Sequence, residues 1–107
     1  MPAIGYVTKQ KDGSYLGELK TLTIQAPLEI RPNPSAGLES GADFRVFVQN
    51  VEVGEGWTRI SVATENKYVA VTLATPEFGA KRILANLGRA AGQSDDSVFA
   101  VLWNPTD

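Results

Sequence analysis

The sequence predicts an all-β fold, and two features lead to that prediction. Residues 43–73 contain three runs of alternating apolar and polar residues, DFRVF, VEVGEGW and KYVAVTL, as is typical of half-buried antiparallel strands. Turn-forming glycines, prolines and Asp-Gly pairs separate the apolar runs at short intervals. We therefore expect one domain over residues 1–107. It should be a small antiparallel barrel of about seven or eight strands, OB-like, with a β-sandwich as the alternative.

The N-terminal part of the chain is predicted to begin with a β-hairpin. Residues 3–8 form its first arm, and Asp12-Gly13 is a turn signal because both residues tolerate left-handed backbone angles. The second arm starts at Tyr15, runs to about Lys20, and is expected to continue through residues 21–24. The β-branched side chains there favour an extended backbone over a helix.

Two later segments are expected to interrupt the sheet. Pro27 argues against a central strand at that point, because proline donates no hydrogen bond to a neighbouring strand. Residues 31–42 combine prolines, glycines and serines, which predicts a surface loop and the best candidate for a mobile segment.

The remaining strands follow from alternating apolar residues. A bend or bulge is expected at Gly54 and Gly56, and Pro76 should end a strand. Residues 80–91 fit helical spacing as well as alternation, and we predict a strand to about Leu87, followed by a polar loop over residues 88–97. The predicted strands cover residues 43–53, 57–63, 67–75, 80–87 and 98–103.

The composition excludes several classes of function. The chain has no cysteine and no histidine, which removes disulfides, thiolate nucleophiles, Cys/His zinc sites and imidazole bases. Its twelve acidic residues are scattered, so no catalytic cluster stands out. We expect no enzyme activity, no cofactor and no metal. Asp95-Asp96 is interpreted as a plain acidic loop, since a cation site needs more oxygen ligands at set spacing.

Charge and hydropathy narrow the partners and the location. A net charge of −2 argues against a surface that clamps duplex DNA through many phosphates, although local basic patches remain compatible with it. No apolar stretch approaches the ~20 residues of a membrane-spanning helix, and the N-terminus lacks the features of a signal peptide. We expect a cytoplasmic protein with no membrane contact.

The central hairpin carries the candidate site. Alternation places Trp57 and Arg59 on one face of a strand and Tyr68 on the same face of its partner, flanked by Lys67. Nucleic-acid bases can stack on such aromatic rings while the basic side chains meet phosphate. In the alternative interpretation Trp57 closes one end of the barrel, Tyr68 packs beside it, and Arg59 covers the rings. Ile60, Val62, Val69, Val71 and Leu73 are assigned to the core side.

Other aromatic and charged residues are expected to have structural roles. Arg45 should pair with a cross-strand acid, either Glu52 or Glu18. Lys81, Arg82 and Arg89 form a loose basic cluster that fits either a solvated edge or an extension of the basic face. The aromatic residues expected in the core are Phe44, Phe47, Phe99 and Trp103.

Seven successive blocks of the chain resemble one protein family. IGYVTK, DGSYLGELKTLT, IRPN, ADFRVF, VEVGEGW, KYVAVTL and RILANL are similar to the domain of unknown function 736 family, over about residues 4–103. The chain differs from the family pattern in three ways. It has a longer loop at residues 37–41, its segment GRAAGQSDDS resembles an insertion, and it lacks the usual lysine-rich stretch after Trp57. The resemblance implies a small bacterial protein of a family often found on plasmids and integrative elements beside conjugation or replication genes.

These observations lead to two functional hypotheses. The first is a non-catalytic nucleic-acid-binding accessory of a mobile genetic element that prefers single strands and uses Trp57, Arg59, Lys67 and Tyr68. The second is a protein-interaction module or inhibitor that acts on a host or conjugation protein through residues 31–42 and an exposed strand edge. Steep salt dependence would favour the first, and an apolar patch the second.

Overall fold

The computed structural model of the protein describes residues 2–34, 41–90, 92 and 95–105. It is a closed barrel of eight antiparallel strands, which confirms the predicted all-β barrel. A short 3-10 helix at Pro76–Phe78 lies between the sixth and seventh strands. The strands are β1 (Ala3–Lys9), β2 (Tyr15–Lys20), β3 (Gln25–Pro32), β4 (Phe44–Val48), β5 (Val51–Ile60), β6 (Lys67–Leu73), β7 (Ile83–Arg89) and β8 (Val98–Trp103).

Each strand pairs with the next along the chain, and β8 pairs with β1 to close the barrel. This is an up-and-down order, which differs from the Greek-key order of an OB fold and from the two sheets of a sandwich. Closure leaves no free edge among the described strands. The exposed edge assumed for the protein-interaction hypothesis is therefore wrong, because closure pairs every strand on both sides.

The barrel interior is filled by inward-facing aliphatic side chains from most of the strands. One end is capped by aromatic rings: Tyr15 packs edge-on against Phe44 and Phe99, with ring centroids 6.0 and 5.7 Å apart. Burial of each large apolar side chain contributes about 1.5–3 kcal/mol, so this core dominates the stability of the domain. The largest fully buried side chains are Val7, Leu19, Ile30, Val46, Leu73 and Val101.

The first hairpin forms as predicted, but its second arm is shorter. Gly13 adopts a left-handed φ of 92°, and the Asp12 carboxylate accepts hydrogen bonds from the Ser14 amide and hydroxyl. The predicted extension through residues 21–24 is wrong, because the chain reverses there. The Thr21 hydroxyl accepts the Ile24 N–H at 3.1 Å, and the Thr21 N–H donates to the Ile24 carbonyl. The turn is stabilised by this side-chain bond to the backbone, which the β-propensity of the residues does not take into account.

Pro27 lies inside β3, which has a neighbour on each side, so the prediction that argued against a central strand at Pro27 is also wrong. It pairs with Glu18 of β2, and its carbonyl accepts the Gln49 N–H on the other side. The N–H and C=O groups of a residue in an antiparallel strand point to the same side. The N–H that Pro27 lacks would therefore point towards the turn after β4, and no hydrogen bond to β2 is lost. β3 also includes Arg31 and Pro32, which were predicted as loop. Residues 35–40 of that predicted mobile segment lie outside the described residues.

The predicted strand over residues 43–53 is two strands joined by a tight turn. Gln49 and Asn50 both have positive φ, at 52° and 65°, as a two-residue hairpin turn requires. Gly54 and Gly56 lie within β5 rather than at a break, and a bulge interrupts the pairing with β4 beside them. A strand forms where residues 80–87 were predicted to form one, but it begins at Ile83 and extends past Leu87 to Arg89. β8 has the predicted bounds. The described part of the chain contains no helix long and apolar enough to span a membrane.

Candidate nucleic-acid interface

The β5–β6 hairpin brings three of the four candidate residues together on the outside of the barrel. Trp57 pairs with Ala70, and Arg59 pairs with Tyr68. Gly56 and Val69, which precede Trp57 and follow Tyr68 on the opposite face, are buried, so alternation turns Trp57, Arg59 and Tyr68 outward. Trp57 and Tyr68 are half-buried, and Arg59 is exposed.

Lys67 is placed differently from the other candidates. It pairs with Ile60, so it belongs to the opposite face of the hairpin. Ile60 and Val62 were predicted to be core residues, and this is wrong: their exposed fractions are 63% and 99%. The hairpin extends beyond the barrel wall, so inward-facing positions near its tip meet solvent. Lys67 therefore adds charge near the hairpin tip rather than on the aromatic face.

A shallow cleft of about 190 Å³ opens beside the aromatic residues. Trp57 and Tyr68 line it together with Asn86 of β7, which pairs with Ala70, and with Asn104 beyond β8. The Arg59 guanidinium carbon lies 5.9 Å from the Trp57 ring centroid. This volume is below the roughly 300–1,000 Å³ of pockets that enclose whole ligands. The cleft therefore has room for about one flat ring, with the two asparagines in its lining.

Trp57 does not close the barrel. The end cap is formed by Tyr15, Phe44 and Phe99, whereas Trp57 lies on the outer wall. The structure therefore rules out the end-closing role, although Arg59 does approach the Trp57 ring as that interpretation expected.

The four aromatic residues assigned to the core divide into two groups. Phe44 and Phe99 pack partly buried against the core. Phe47 faces outward because it lies three residues after the inward-facing Phe44, and its ring is covered by the Arg31 guanidinium at 4.0 Å. Trp103 is 39% exposed at the end of β8. The core assignment of Phe47 and Trp103 is therefore wrong.

Three arginines pair with carboxylates: Arg31, Arg45 and Arg89. Arg59, on the aromatic face, has no such pair among the described residues. Arg45 pairs with Glu52, one of its two predicted partners, with Nε 3.1 Å from Oε2. Arg31 pairs with Glu29 at 2.8 Å, and that hydrogen bond lowers the pKa of the Glu29 carboxyl. Among the described residues no carboxylate lies within 4.0 Å of Arg59. Its charge is available to an anionic partner.

The acidic loop before β8 is engaged in local structure. The Asp95 carboxylate accepts the Ser97 amide at 2.9 Å and the Ser97 hydroxyl at 2.6 Å, and these bonds lower the pKa of Asp95. Asp96 pairs with Arg89 at 2.6 Å, which removes Arg89 from the predicted basic cluster. No group of three or more possible metal ligands occurs in the described residues.

Sequence reasoning missed the two asparagines of the cleft. Asn86 reaches it through the β6–β7 register, and Asn104 through a backbone bond from its N–H to the Leu84 carbonyl. Neither residue belongs to a local motif. The ANL segment within β7 carries a polar residue between two buried ones, which is the one signal that marks Asn86 as outward-facing.

The family assignment rests on a match over nearly the whole chain. A family described as "Protein of unknown function (DUF736)" matches residues 3–106. The chain belongs to the DUF736 family. This confirms the family that the sequence blocks indicated. For this DUF736 protein, no curated protein and no solved structure gives a match.

Proposed function

We propose that this DUF736 protein is a non-catalytic accessory that binds single-stranded nucleic acid in the cytoplasm on behalf of a mobile genetic element. The observation that carries the proposal is the outer cleft, where Trp57 and Tyr68 stand beside an arginine that has no carboxylate partner among the described residues. The mobile-element setting comes from what resemblance to the family implies.

The chemistry of the cleft favours unpaired bases over a duplex. Stacking on Trp57 or Tyr68 requires access to the flat face of a base, which base pairing and helical stacking hide in a duplex. The amides of Asn86 and Asn104 can both donate and accept hydrogen bonds at a base edge. Arg59 can meet the adjoining phosphate, or stack against a base itself.

The charge distribution sets the expected strength of binding. Arg59 supplies one cation at the cleft, and Lys67 adds another near the hairpin tip. With so few phosphate contacts, affinity has to come largely from stacking, at about 1–3 kcal/mol per base. We therefore expect modest affinity, and a salt dependence shallower than the steep one that the sequence led us to associate with nucleic-acid binding.

The test is fluorescence anisotropy of labelled oligonucleotides, single-stranded and duplex, at two salt concentrations. Trp57→Ala should weaken single-strand binding roughly 5- to 150-fold, the equivalent of one lost stack. Phe47→Ala is the matched control, because it removes an outward-facing ring covered by Arg31 on a different part of the barrel. Equal effects of the two substitutions, or tighter binding of duplex, would contradict the proposal.

A second candidate, a protein-interaction module, is favoured by the tip of the β5–β6 hairpin. Ile60 and Val62 expose 63% and 99% of their surface there, and apolar side chains that protrude in this way are suited to insertion into a partner's pocket. The substitutions Ile60→Ser and Val62→Ser should abolish capture of a protein partner in a pull-down while leaving oligonucleotide binding intact. If the two substitutions abolish oligonucleotide binding but leave capture of the protein partner unchanged, this candidate is refuted.

A further inference from the structure

The two ends of the barrel differ. One is capped by Tyr15, Phe44 and Phe99, whereas the other opens into a cavity of about 680 Å³. That volume lies within the roughly 300–1,000 Å³ typical of small-molecule sites, and barrel mouths are a common place for them. The cavity shares no lining residue with the cleft at Trp57, so it is independent of the proposed function.

The cavity has an apolar floor. Leu19, Ala26 and Val53 form its base and are at most 9% exposed. Val48 and Phe78 line its wall and pack partly buried against the core. Phe78 is held there by the 3-10 helix, in which its N–H donates to the Thr75 carbonyl at 3.0 Å. An apolar body of a ligand would find contacts on several sides.

The charge at the mouth is negative. Glu52 and Glu77 line the cavity, and no lysine or arginine does so among the described residues. Glu52 is already paired with Arg45, but Glu77 has no cation within 4.0 Å in the described part of the chain. The aromatic face of Phe78 also attracts cations. Lys81 and Arg82 follow the 3-10 helix and line an adjoining groove beside Trp103, which shares Phe78 with the mouth.

We propose that the open mouth of the barrel binds a small organic cation, an alkylamine or quaternary ammonium compound with an apolar body. The apolar part lies on Leu19, Ala26 and Val53, and the ammonium group is placed between Glu77 and the Phe78 ring. Anions are disfavoured by the carboxylates.

The experiment compares three probes with the same apolar chain: hexyltrimethylammonium, 1-hexanol and hexanesulfonate. Each is titrated into ¹⁵N-labelled protein and followed by two-dimensional NMR. The expected order of affinity is cation, then alcohol, then anion, with the largest shifts at amides lining the mouth and none at Trp57 or Tyr68. Failure of the cation to shift any mouth amide at millimolar concentration, or equal binding of the sulfonate, would overturn the proposal.

Two substitutions locate the charge and the cavity. Glu77→Gln should weaken hexyltrimethylammonium roughly two- to five-fold and leave 1-hexanol unchanged, since an exposed charge contributes little more than this. Glu65→Gln, an exposed acid in the turn between β5 and β6, is the matched control and should change neither. Val48→Trp should block all three probes, with the thermal melt showing that the barrel still folds. Equal loss in the Glu65 and Glu77 variants would refute the site.

Discussion

Replacement of Gly54 by alanine makes a sharp prediction about the packing of β5 against β6, the strands that carry Trp57 and Tyr68. A Cβ at this position would lie 1.6 Å from the Thr72 carbonyl oxygen and 2.6 Å from its carbon, both in the backbone of β6. Real Cβ atoms essentially never approach other heavy atoms within 3.0 Å. The two strands would have to separate by about 1.4 Å, the difference between 3.0 and 1.6 Å.

The loss of stability in Gly54→Ala can be estimated from the hydrogen bonds on either side of Gly54. The Glu55 N–H donates to the Thr72 hydroxyl at 3.2 Å, and the Ala74 N–H donates to the Val53 carbonyl at 2.8 Å. Separation of the strands weakens both, at about 0.5–1.5 kcal/mol each, and overpacking adds about 1–3 kcal/mol. We expect the free energy of unfolding to fall by about 3 kcal/mol. For a domain of this size that lowers Tm by roughly 12–24 °C.

The assay is thermal unfolding followed by circular dichroism, with Gly41→Ala as the matched control. Gly41 has a φ of 75° and no atom of the described residues within 4 Å of an added Cβ, so its substitution costs only backbone strain of about 1–2 kcal/mol. The difference in Tm between the two variants therefore reports the clash between β5 and β6. If Gly54→Ala melts at or above the Tm of Gly41→Ala, the close approach of β5 and β6 does not constrain the fold and the reasoning is refuted.

Three further predictions test electrostatics. In salt titrations of single-strand binding, Arg59→Ala should make the slope of log affinity against log salt concentration shallower by about 0.7, because one phosphate contact is lost. An unchanged slope would show that Arg59 does not contact a phosphate. A double-mutant cycle on Arg45→Ala and Glu52→Ala should give a coupling of about 0.2–1 kcal/mol in urea unfolding, because both side chains are well exposed, and a larger value would contradict that account. Asp95 has a pKa below its ordinary 3.8, owing to its bonds from Ser97. The ionised Asp95 carboxylate therefore stabilises the fold above pH 3.8, and this contribution is lost as the pH falls through the lowered pKa. Asp95→Asn should reduce the decrease of Tm on acidification. An unchanged decrease in the variant would show that Asp95 does not contribute to it.

Local pattern predicted most strands and the Asp12-Gly13 turn, but it missed the turns at residues 21–24 and at Gln49-Asn50. Alternation identified the apolar runs because one face of every strand is buried. The Gln49-Asn50 turn was missed because glutamine rarely adopts positive φ, and tight closure by the neighbouring strands imposes it. Residues 21–24 were misassigned since β-propensity says nothing about the Thr21 side-chain bond that forms the turn.

The candidate site was predictable to the extent that it lies within one hairpin. The shared face of Trp57, Arg59 and Tyr68 follows from alternation and a local turn. Asn86 and Asn104 depend on how β7 and the end of β8 are registered against that hairpin, which no local pattern fixes. The absence of a carboxylate beside Arg59 in the described chain is likewise a property of three-dimensional packing.

The central claim is that a base stacks on Trp57, and tryptophan emission tests it most directly. The chain has two tryptophans, so Trp103→Phe leaves Trp57 as the single reporter in a protein whose cleft is intact. Titration with unlabelled single-stranded oligothymidine should quench this emission in a saturable way, and matched duplex should quench it far less. Binding detected by anisotropy without a change in Trp57 emission, or no binding of single strands at low salt, would contradict the account.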